Sequence, residues 1–173
     1  MKTALTPATV YYLEMKERPA SGEIDIPSFH AIKSARPLSA SHYRELYYGV
    51  GEQWHWLDRM VISETELEEK INQPNVHIFT FEVAGQTAGY VELVEETAFV
   101  EILYFGLFPS FTGKGLGPAL LKWAIDKAWT YGKPLVQLNT CSLDHPKALT
   151  VYLKAGFELV RTETQERKIL MSE

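Results

Sequence analysis

The sequence predicts an α/β fold of the α+β type, in which a mixed and mostly antiparallel sheet of about seven strands carries helices on both faces. Strand-like segments come as an initial pair, as a run of three joined by tight turns, and again towards the C-terminus, and helix-like segments separate these groups. A doubly wound dinucleotide-binding fold would alternate strand and helix throughout the chain. The observed order therefore favours a mixed sheet.

The bulk composition predicts a single domain over residues 1–173, because 46% of the 173 residues are hydrophobic and 23% are charged. A net charge of −5 disfavours a general nucleic-acid binder. Cys141 is the single cysteine, which excludes an internal disulfide framework and fits a reducing compartment. The chain has no apolar run long enough to span a bilayer and no signal-peptide pattern, so we predict a cytoplasmic protein without a membrane partner.

Two strands and two helices are predicted in the first part of the chain. They are a strand over Thr9–Lys16, a strand over Ser28–Ala35, a helix from Ser39 or Ser41 to about Val50, and a helix over Ser63–Asn72. The first strand is rich in β-branched and aromatic residues. Serines are favourable N-caps, and Ser63 with Glu66 forms a capping-box pattern at the start of the second helix, which Pro74 ends.

The second part of the chain supplies the rest of the sheet and two further helices. The predicted elements are strands over Val76–Val83, Thr87–Val94 and Ala98–Phe108, a helix from about Gly115 to Tyr131, a strand over Leu135–Thr140, a helix capped by Asp144 and ended by Gly156, and a last pair of strands over Phe157–Thr162 and Arg167–Met171. Ala84-Gly85-Gln86 predicts a hairpin turn. Ala98–Phe108 is almost continuously apolar, which is typical of a central strand buried on both faces.

The loop Thr112–Gly117, with the sequence TGKGLG, joins that apolar strand to the long helix. Its glycines occupy every second position, so backbone N–H groups can approach a ligand without a Cβ in the way. The helix that follows adds unpaired N–H groups and the positive end of its dipole. The pattern therefore predicts an anion site, which includes Lys114, for the pyrophosphate of a cofactor.

The segment that starts at Leu107, LFPSFTGKGLG, resembles the acetyl-coenzyme A loop of the GNAT superfamily of N-acetyltransferases, which is commonly written V-x-P-x-(Y/F)-(Q/R)-x-x-G-x-G. The residues that fit are Leu107, Pro109, Phe111, Gly115 and Gly117. The sequence departs from the pattern at Thr112, where the family usually has Gln or Arg. A second segment, from His145 to Phe157, is similar to the family's N-x-x-A-x-x-(L/V)-Y-x-x-x-G-F helix and strand, with His145 in place of Asn.

The resemblance covers about Phe29 to Leu170 and implies a sheet whose fourth and fifth strands splay apart to admit the pantetheine arm of acetyl-CoA. These strands are Ala98–Phe108 and Leu135–Thr140. The arm would pair with the backbone of Phe105, Gly106 and Leu107, and Gly106 suits a β-bulge. The other residues implied to bind the cosubstrate are Thr112, Gly113, Lys114, Gly115, Leu116, Gly117, Asn139 and Tyr152.

Two side chains are candidates for the chemistry of acetyl transfer, which needs a neutral amine and a proton for the leaving thiolate. Tyr152 is the candidate acid, and the alternative is a tyrosine that only packs in the core. Glu101 is the candidate base, because burial in an apolar strand raises a carboxyl pKa and because the protein-acetylating branch of the family carries a glutamate there. The alternatives for Glu101 are solvent exposure or substrate binding without proton transfer. Glu92, or a chain of waters, is the next candidate.

The aromatic segment between the first two helices corresponds to the acceptor side in the family. Trp54 and Trp56 are candidates for a substrate-binding wall, with Glu92 also assigned to substrate binding. The alternative is that the tryptophans only pin the helices to the sheet. The five histidines show no metal-ligand spacing with carboxylates or Cys141, so we predict no metal.

We therefore predict an acyltransferase that moves the acetyl group of acetyl-CoA to a primary amine, on a small molecule or a peptide, by direct attack in a ternary complex. The alternative is a coenzyme A-binding sensor or scaffold without catalysis. A general nucleotide-binding protein is disfavoured, because the glycine loop lacks the Lys-Ser/Thr ending of a P-loop. The choice between monomer and homodimer stays open, since the strand Thr9–Lys16 could pair within the sheet or across a dimer.

Overall fold

The computed structural model describes residues 2–20 and 30–171, which contain seven strands and four α-helices. The strands are β1 Thr3–Met15, β2 His30–Ser34, β3 Val76–Val83, β4 Gln86–Glu95, β5 Val100–Leu107, β6 Val136–Cys141 and β7 Glu158–Leu170. The helices are α1 Ala40–Gly51, α2 Glu64–Ile71, α3 Leu116–Trp129 and α4 Ala148–Lys154. The first two residues of the strand predicted over Ser28–Ala35 lie outside the described ranges. None of these helices is long and apolar enough to cross a membrane.

The seven strands form one mixed sheet in the order β2-β3-β4-β5-β6-β1-β7. Every neighbouring pair is antiparallel except β5 and β6, which run parallel. The hairpin predicted at Ala84-Gly85 is present, and both residues have the positive φ angles that a tight β-turn of this kind requires. The fold class predicted from the sequence is confirmed.

The N-terminal strand β1 lies inside the sheet, between β6 and β7, and begins at Thr3 rather than at the predicted Thr9. Strand β6 pairs with its C-terminal half, and β7 pairs with almost its whole length. Apolar side chains of β1, such as Leu13 and Met15, are buried in the core. Of the two arrangements that the sequence leaves open for this strand, the structure therefore contains the one within the sheet.

The C-terminal segment is one strand rather than the predicted pair. Strand β7 runs unbroken from Glu158 to Leu170. The polar residues 163–166, which separate the two predicted strands, continue the ladder because β1 offers them backbone partners from Pro7 to Val10. Polar residues are compatible with a strand that has an open face, so pairing and not composition decides the structure here.

Helices cover both faces of the sheet. Helix α3 packs on one face through its buried apolar side, which consists of Leu120, Leu121, Ala124, Ile125 and Ala128. Helices α1 and α2 pack on the other face and form a second buried cluster with Tyr90 of β4. The neighbouring residue Val91 belongs to the cluster under α3. This alternation along β4 shows that the two clusters lie on opposite faces.

The predicted N-caps of the first two helices are confirmed, and that of the fourth is wrong. The hydroxyl of Ser39 accepts the N–H of His42, and the hydroxyl of Ser63 accepts the N–H of Glu66. Helix α4 begins after Lys147 and has no side-chain cap. The sequence predicts Asp144 as its cap, but this carboxylate binds the end of β6 instead, as described below.

The β-bulge in β5 lies at Leu103 and not at Gly106. The ladder between β4 and β5 shifts register once, and the shift leaves Leu103 without a partner. Gly106 pairs regularly with Tyr90, so the predicted bulge position is wrong. Packing accounts for the glycine instead, because a Cβ at Gly106 would lie 2.3 Å from Cγ1 of Val50 in α1.

The close approach of β4 and β5 predicts that Gly89→Ala is destabilising. A Cβ there would lie 2.2 Å from the carbonyl oxygen of Gly106, a backbone atom that cannot move without disturbing β5. We expect the free energy of unfolding, measured in urea, to fall by about 1–3 kcal/mol. Gly117→Ala is the control, because its nearest contact is 3.9 Å away and alanine favours a helix, so no loss is expected. A Gly89→Ala protein as stable as the wild type would contradict this packing.

Candidate active site

Strands β5 and β6 are hydrogen-bonded only at their beginnings, and the last paired residues are Glu101 and Gln137. Beyond them the strands separate. We call the gap between residues 102–107 of β5 and residues 138–141 of β6 the fork. The bulge at Leu103 lies just inside the fork, and an extra residue bends the strand that contains it. The splay predicted between these two strands is therefore present, and the bulge gives its local cause.

Backbone groups line the β5 side of the fork. Phe105, Gly106 and Leu107 pair with β4 along one edge, and within the described part of the chain no strand pairs with their other edge. The side chains of Phe105 and Leu107 pack under α3, so they leave that edge of the backbone open. An extended ligand with amide groups can pair with such an edge as an added strand would.

The glycine loop between β5 and α3 has the geometry of an anion site. Gly113 and Gly115 have φ angles of 74° and 75°, a conformation that glycine adopts without strain. Gly115 is the N-cap of α3, and no side chain caps this helix. The hydroxyl of Thr112 turns away from the helix and donates to the carbonyl of Pro109 at 2.8 Å. The first N–H groups of α3 are thus left free for an anion.

The other predicted loop residues lie around this helix start. Leu116 and Gly117 form the first turn of α3, where N–H groups have no partner within the helix. The ammonium group of Lys114 lies 5.7 Å from the ring centroid of Phe111, close enough for a cation–π contact. Residues 112–117 therefore combine the positive dipole end of α3 with the cation of Lys114.

The structure brings Glu101 and Asn139 together at the closed end of the fork. The amide of Asn139 donates to Oε1 of Glu101 at 3.5 Å, from one strand to the other. Burial raises the pKa of the Glu101 carboxyl, and repulsion from Glu96 and Glu92 raises it further. A carboxyl with a raised pKa at the edge of a cavity has the properties of a general base.

Tyr152 of α4 lies on the other side of the same fork. Its ring packs against the core cluster that contains Ile102 of β5 and Leu138 of β6. Within residues 2–20 and 30–171 its hydroxyl has no hydrogen-bond partner. Burial and the nearby Asp144 carboxylate raise the pKa of Tyr152, which keeps the hydroxyl protonated. Ile102 and its neighbour Glu101 point to opposite faces of the sheet, because successive strand residues alternate. Since Tyr152 packs on the face of Ile102, Tyr152 and Glu101 flank the fork from opposite faces.

This arrangement agrees with a comparison to known proteins. Residues 40–157, more than half of the chain, match the family model described as "Acetyltransferase (GNAT) family". The chain belongs to this family. The matched region contains the fork, the glycine loop and α4, while β1, β2 and β7 lie outside it.

Three similar proteins illustrate the relationship. The GNAT chain is 29% identical over 147 residues to spermidine N(1)-acetyltransferase of Escherichia coli K12, with 78% of this chain and 76% of that protein covered. An acetyltransferase structure from Bacillus subtilis in complex with CoA has a TM-score of 0.58 and 22% identity, over 75% of this chain and 76% of that one. A GCN5-related N-acetyltransferase structure from Sphaerobacter thermophilus has a TM-score of 0.62 and 16% identity, over 93% of this chain. The GNAT chain spans 51% of that structure's length.

Trp56 of the GNAT chain is held in place by packing. Its ring centroid lies 5.1 Å from that of Tyr104 and 5.5 Å from that of Tyr47. A Cβ at Gly51 would lie 2.4 Å from its indole, so the glycine leaves room for the ring. These contacts join α1, the segment after it and β5, which agrees with the reading that this tryptophan pins a helix to the sheet.

Trp54 has fewer contacts and lies nearer to α4. Its ring meets that of His145 edge-on, with the ring centroids 5.3 Å apart. Both residues are less than fully buried. His145 is the position where the family pattern has Asn, so Trp54 contacts the part of the second motif that departs from the family. Trp54 and Trp56 are both partly buried, and Trp56 has the larger set of ring contacts.

Asp144 is a connecting residue of the site whose role the sequence does not reveal. Its Oδ2 accepts the hydroxyl of Thr140 at 2.6 Å and the N–H of Cys141 at 2.9 Å, and its Oδ1 accepts the indole N–H of Trp56 at 3.4 Å. The carboxylate thus ties the end of β6 to the segment after α1. Asp144 lies four residues before the first residue of α4, where the sequence pattern of a helix cap also fits, and nothing local distinguishes the two roles.

Glu92 is enclosed on the α1 face of the sheet, and none of its surface is exposed. Its Oε2 accepts the hydroxyl of Tyr43 at 2.5 Å, and its Oε1 lies 3.0 Å from Nη2 of Arg59. The guanidinium also lies over the ring of Tyr104, with 5.5 Å to the centroid. Burial raises the pKa of Glu92, and Arg59 and Tyr43 oppose that rise. Both carboxylate oxygens therefore have protein partners, which favours a structural role for this residue.

A cavity of about 220 Å³ lies on the Glu101 side of the fork. It is lined by Tyr12 and Glu14 of β1, Glu101, Gln137 and Asn139 at the fork, and Arg161 of β7, among others. Tyr12 and Glu14 enter the site only because β1 lies beside β6, so no sequence motif indicates them. Within residues 2–20 and 30–171 no group of three or more His, Cys, Asp or Glu side chains could hold a metal ion.

The buried ion pair predicts a large loss of stability when one partner is removed. Glu92→Ala leaves the charge of Arg59 buried without a counter-ion, and such changes cost about 3–5 kcal/mol. Glu82→Ala is the control, because Glu82 pairs with the exposed Lys33 at 2.7 Å and exposed pairs contribute less than about 1 kcal/mol. Urea unfolding of the two variants gives the comparison. Equal losses in the free energy of unfolding would show that the buried Arg59–Glu92 pair stabilises the fold no more than the exposed pair does.

Proposed function

We propose that residues 1–173 act as one acetyltransferase domain that moves the acetyl group of acetyl-CoA to a primary amine by direct attack in a ternary complex. The observation that carries this proposal is the fork, with Glu101 at its closed end, Tyr152 on the opposite face and a glycine loop beside it. Family membership supports the acyl transfer, and the CoA complex of the Bacillus subtilis structure supports the cosubstrate.

The cosubstrate-binding residues in this proposal form one path along β5 and α3. The pyrophosphate binds residues 112–117, where the free N–H groups at the start of α3 meet the cation of Lys114. The pantetheine arm pairs with the open backbone edge of Phe105, Gly106 and Leu107, while Asn139 can hydrogen-bond to it from β6. The departure at Thr112 does not affect the N–H donors, because its hydroxyl is bonded to the carbonyl of Pro109.

The two candidate catalytic residues act on opposite sides of the thioester. Glu101 accepts a proton from the attacking amine, which its raised pKa favours near neutral pH. The amine nitrogen forms the new bond to the acetyl carbon and the carbon–sulfur bond breaks. Tyr152, whose raised pKa keeps its hydroxyl protonated, donates its proton to the leaving thiolate. Holding both reactants in one fork supplies the proximity on which direct transfer depends.

The cavity on the Glu101 side is the proposed acceptor site, and its lining favours a cationic amine. Glu14 and Glu101 contribute two carboxylates to it, together with the amides of Gln137 and Asn139, while the one guanidinium in the lining, that of Arg161, is paired with Glu163. A relative with 29% identity is a spermidine N(1)-acetyltransferase, which supports testing polyamines first. Small amines and peptide amines remain within the proposed substrate class.

Calorimetry with acetyl-CoA and a thiol-release assay on a panel of amines test the proposal. The panel includes spermidine, shorter diamines, amino-acid amides and a peptide. We expect acetyl-CoA to bind and at least one amine to release thiol. Tyr152→Phe should keep acetyl-CoA binding and lower kcat about 10²-fold, because it removes only the proton donor. Binding without turnover on any amine would favour the non-catalytic module, and a lack of binding would overturn the assignment of the loop.

The pH profile of kcat/KM tests Glu101 directly. Because burial raises its pKa, we expect the rate to fall as the pH drops through a value above that of an ordinary glutamate. Glu101→Gln should remove this acid limb and lower the rate about 10²-fold. Glu96→Gln is the matched control, since it removes a repulsion that raises the pKa of Glu101, and should move the limb to lower pH with the full rate kept. An acid limb that persists in Glu101→Gln would assign the base to another group.

A further inference from the structure

Strand β7 forms one end of the sheet, with β1 on its inner side. It runs for 13 residues from Glu158 to Leu170 without a proline. Proteins usually keep edge strands short, interrupted or covered, because unpaired N–H and C=O groups offer pairing to another strand. Within residues 2–20 and 30–171 no strand pairs with the outer edge of β7. An edge of this length offers its backbone groups to a partner strand.

The hydrogen bonds to β1 show which residues of β7 point their backbone groups outwards. The N–H of Met171 donates to the carbonyl of Lys2, so the odd-numbered residues from 161 onwards face β1 and the even-numbered ones face away. The N–H of Leu170 agrees with this, since it leaves the sheet and donates to Nδ1 of His55 at 3.1 Å. The remaining outward-facing residues are Thr162, Thr164, Glu166 and Lys168, and all of them are exposed.

Charge restricts how this edge can pair with the same edge of a second copy. With Gln165 on the two-fold axis, Glu163 of one copy faces Arg167 of the other, and no like charges are opposed. Moving the axis to residue 164 puts Arg161 opposite Arg167, and moving it to residue 166 puts the two copies of Glu166 opposite each other. An axis at residue 163 or 167 likewise opposes the two copies of Glu163 or of Arg167. Like charges directly opposite each other destabilise an antiparallel pair, so one register is favoured.

Exposed apolar side chains at the two ends of β7 fit the same register. Leu159 and Val160 are 44% and 46% exposed, and Met171, directly after the strand, is 54% exposed. Pairing centred on Gln165 brings the Leu159 end of one copy to the Met171 end of the other. The apolar groups that each copy leaves in water are thereby placed against each other.

We propose that two copies of this chain associate by antiparallel pairing of their β7 strands, with Gln165 of each copy at the two-fold axis. The four outward-facing residues of each strand would exchange about eight backbone hydrogen bonds. The two seven-stranded sheets then form one continuous sheet, and neither copy retains a free β7 edge. This association depends on the edge of β7 and not on the proposed catalytic activity.

Sedimentation velocity of the full chain and two variants tests the association. The wild type should be a dimer at micromolar concentration. Thr164→Pro removes an outward N–H without touching the ladder to β1, and proline is tolerated at such an edge position. It should weaken self-association at least about tenfold, while Thr164→Val, which keeps the N–H, should remain dimeric. A monomeric wild type, or a dimer that Thr164→Pro leaves intact, overturns the proposal.

Cysteine cross-linking in a Cys141→Ser background tests the register. Gln165→Cys places two sulfurs at a non-hydrogen-bonded pair, where Cα atoms are about 4.5 Å apart and a disulfide can form. Thr164→Cys is the matched control, because in this register its two copies are more than about 7 Å apart. Oxidation should therefore give a covalent dimer only with Gln165→Cys. A cross-link through Thr164→Cys alone, or through neither variant in a dimeric protein, contradicts the proposed pairing.

Discussion

The site depends on the point at which hydrogen bonding between β5 and β6 stops. The parallel ladder ends at Glu101 and Gln137, and the bulge at Leu103 bends β5 away from its neighbour. Backbone groups inside a protein need partners, so an edge left open between two central strands requires a ligand or water. The same interruption leaves Glu101 at the closed end of the fork and Tyr152 on its other face. One missing stretch of ladder therefore produces both the open backbone edge and the arrangement of the two proposed catalytic residues.

The two faces of the sheet support this opening by different means. Under α3 the packing is apolar and continuous, so it holds the strands before and after the fork rigidly. On the α1 face a buried network of Arg59, Glu92 and Tyr43 replaces part of the apolar core. Such a network holds one geometry when each charge has a partner, and it is costly when a partner is lost. The hydrogen bonds of Asp144 to Trp56 and to the end of β6 extend this support, so polar contacts between distant segments hold this face of the fork.

Local sequence patterns were sufficient for most elements and for the backbone conformation of the glycine loop. The loop, the N-caps at Ser39 and Ser63 and the hairpin at Ala84-Gly85 all follow from short-range chemistry, and the structure contains them. The errors share one cause. The bulge at Leu103, the role of Asp144 and the unbroken course of β7 are each decided by a partner far away in the chain. A local sequence pattern does not identify a distant partner, so it cannot decide between two structural roles that suit the same residue equally well.

The sequence by itself determined the fold class, the family and the residues of the glycine loop, because periodicity, capping and backbone conformation are properties of neighbouring residues. Only the tertiary structure decided that β1 lies between β6 and β7, and that Tyr12 and Glu14 therefore line the cavity beside Glu101. It also decided that Glu92 is enclosed by Arg59 and Tyr43 and that β7 ends the sheet formed by the described strands. The physical reason is that strand pairing and the partners of buried charges join residues that are far apart in the chain, so they exist only once the sheet has formed.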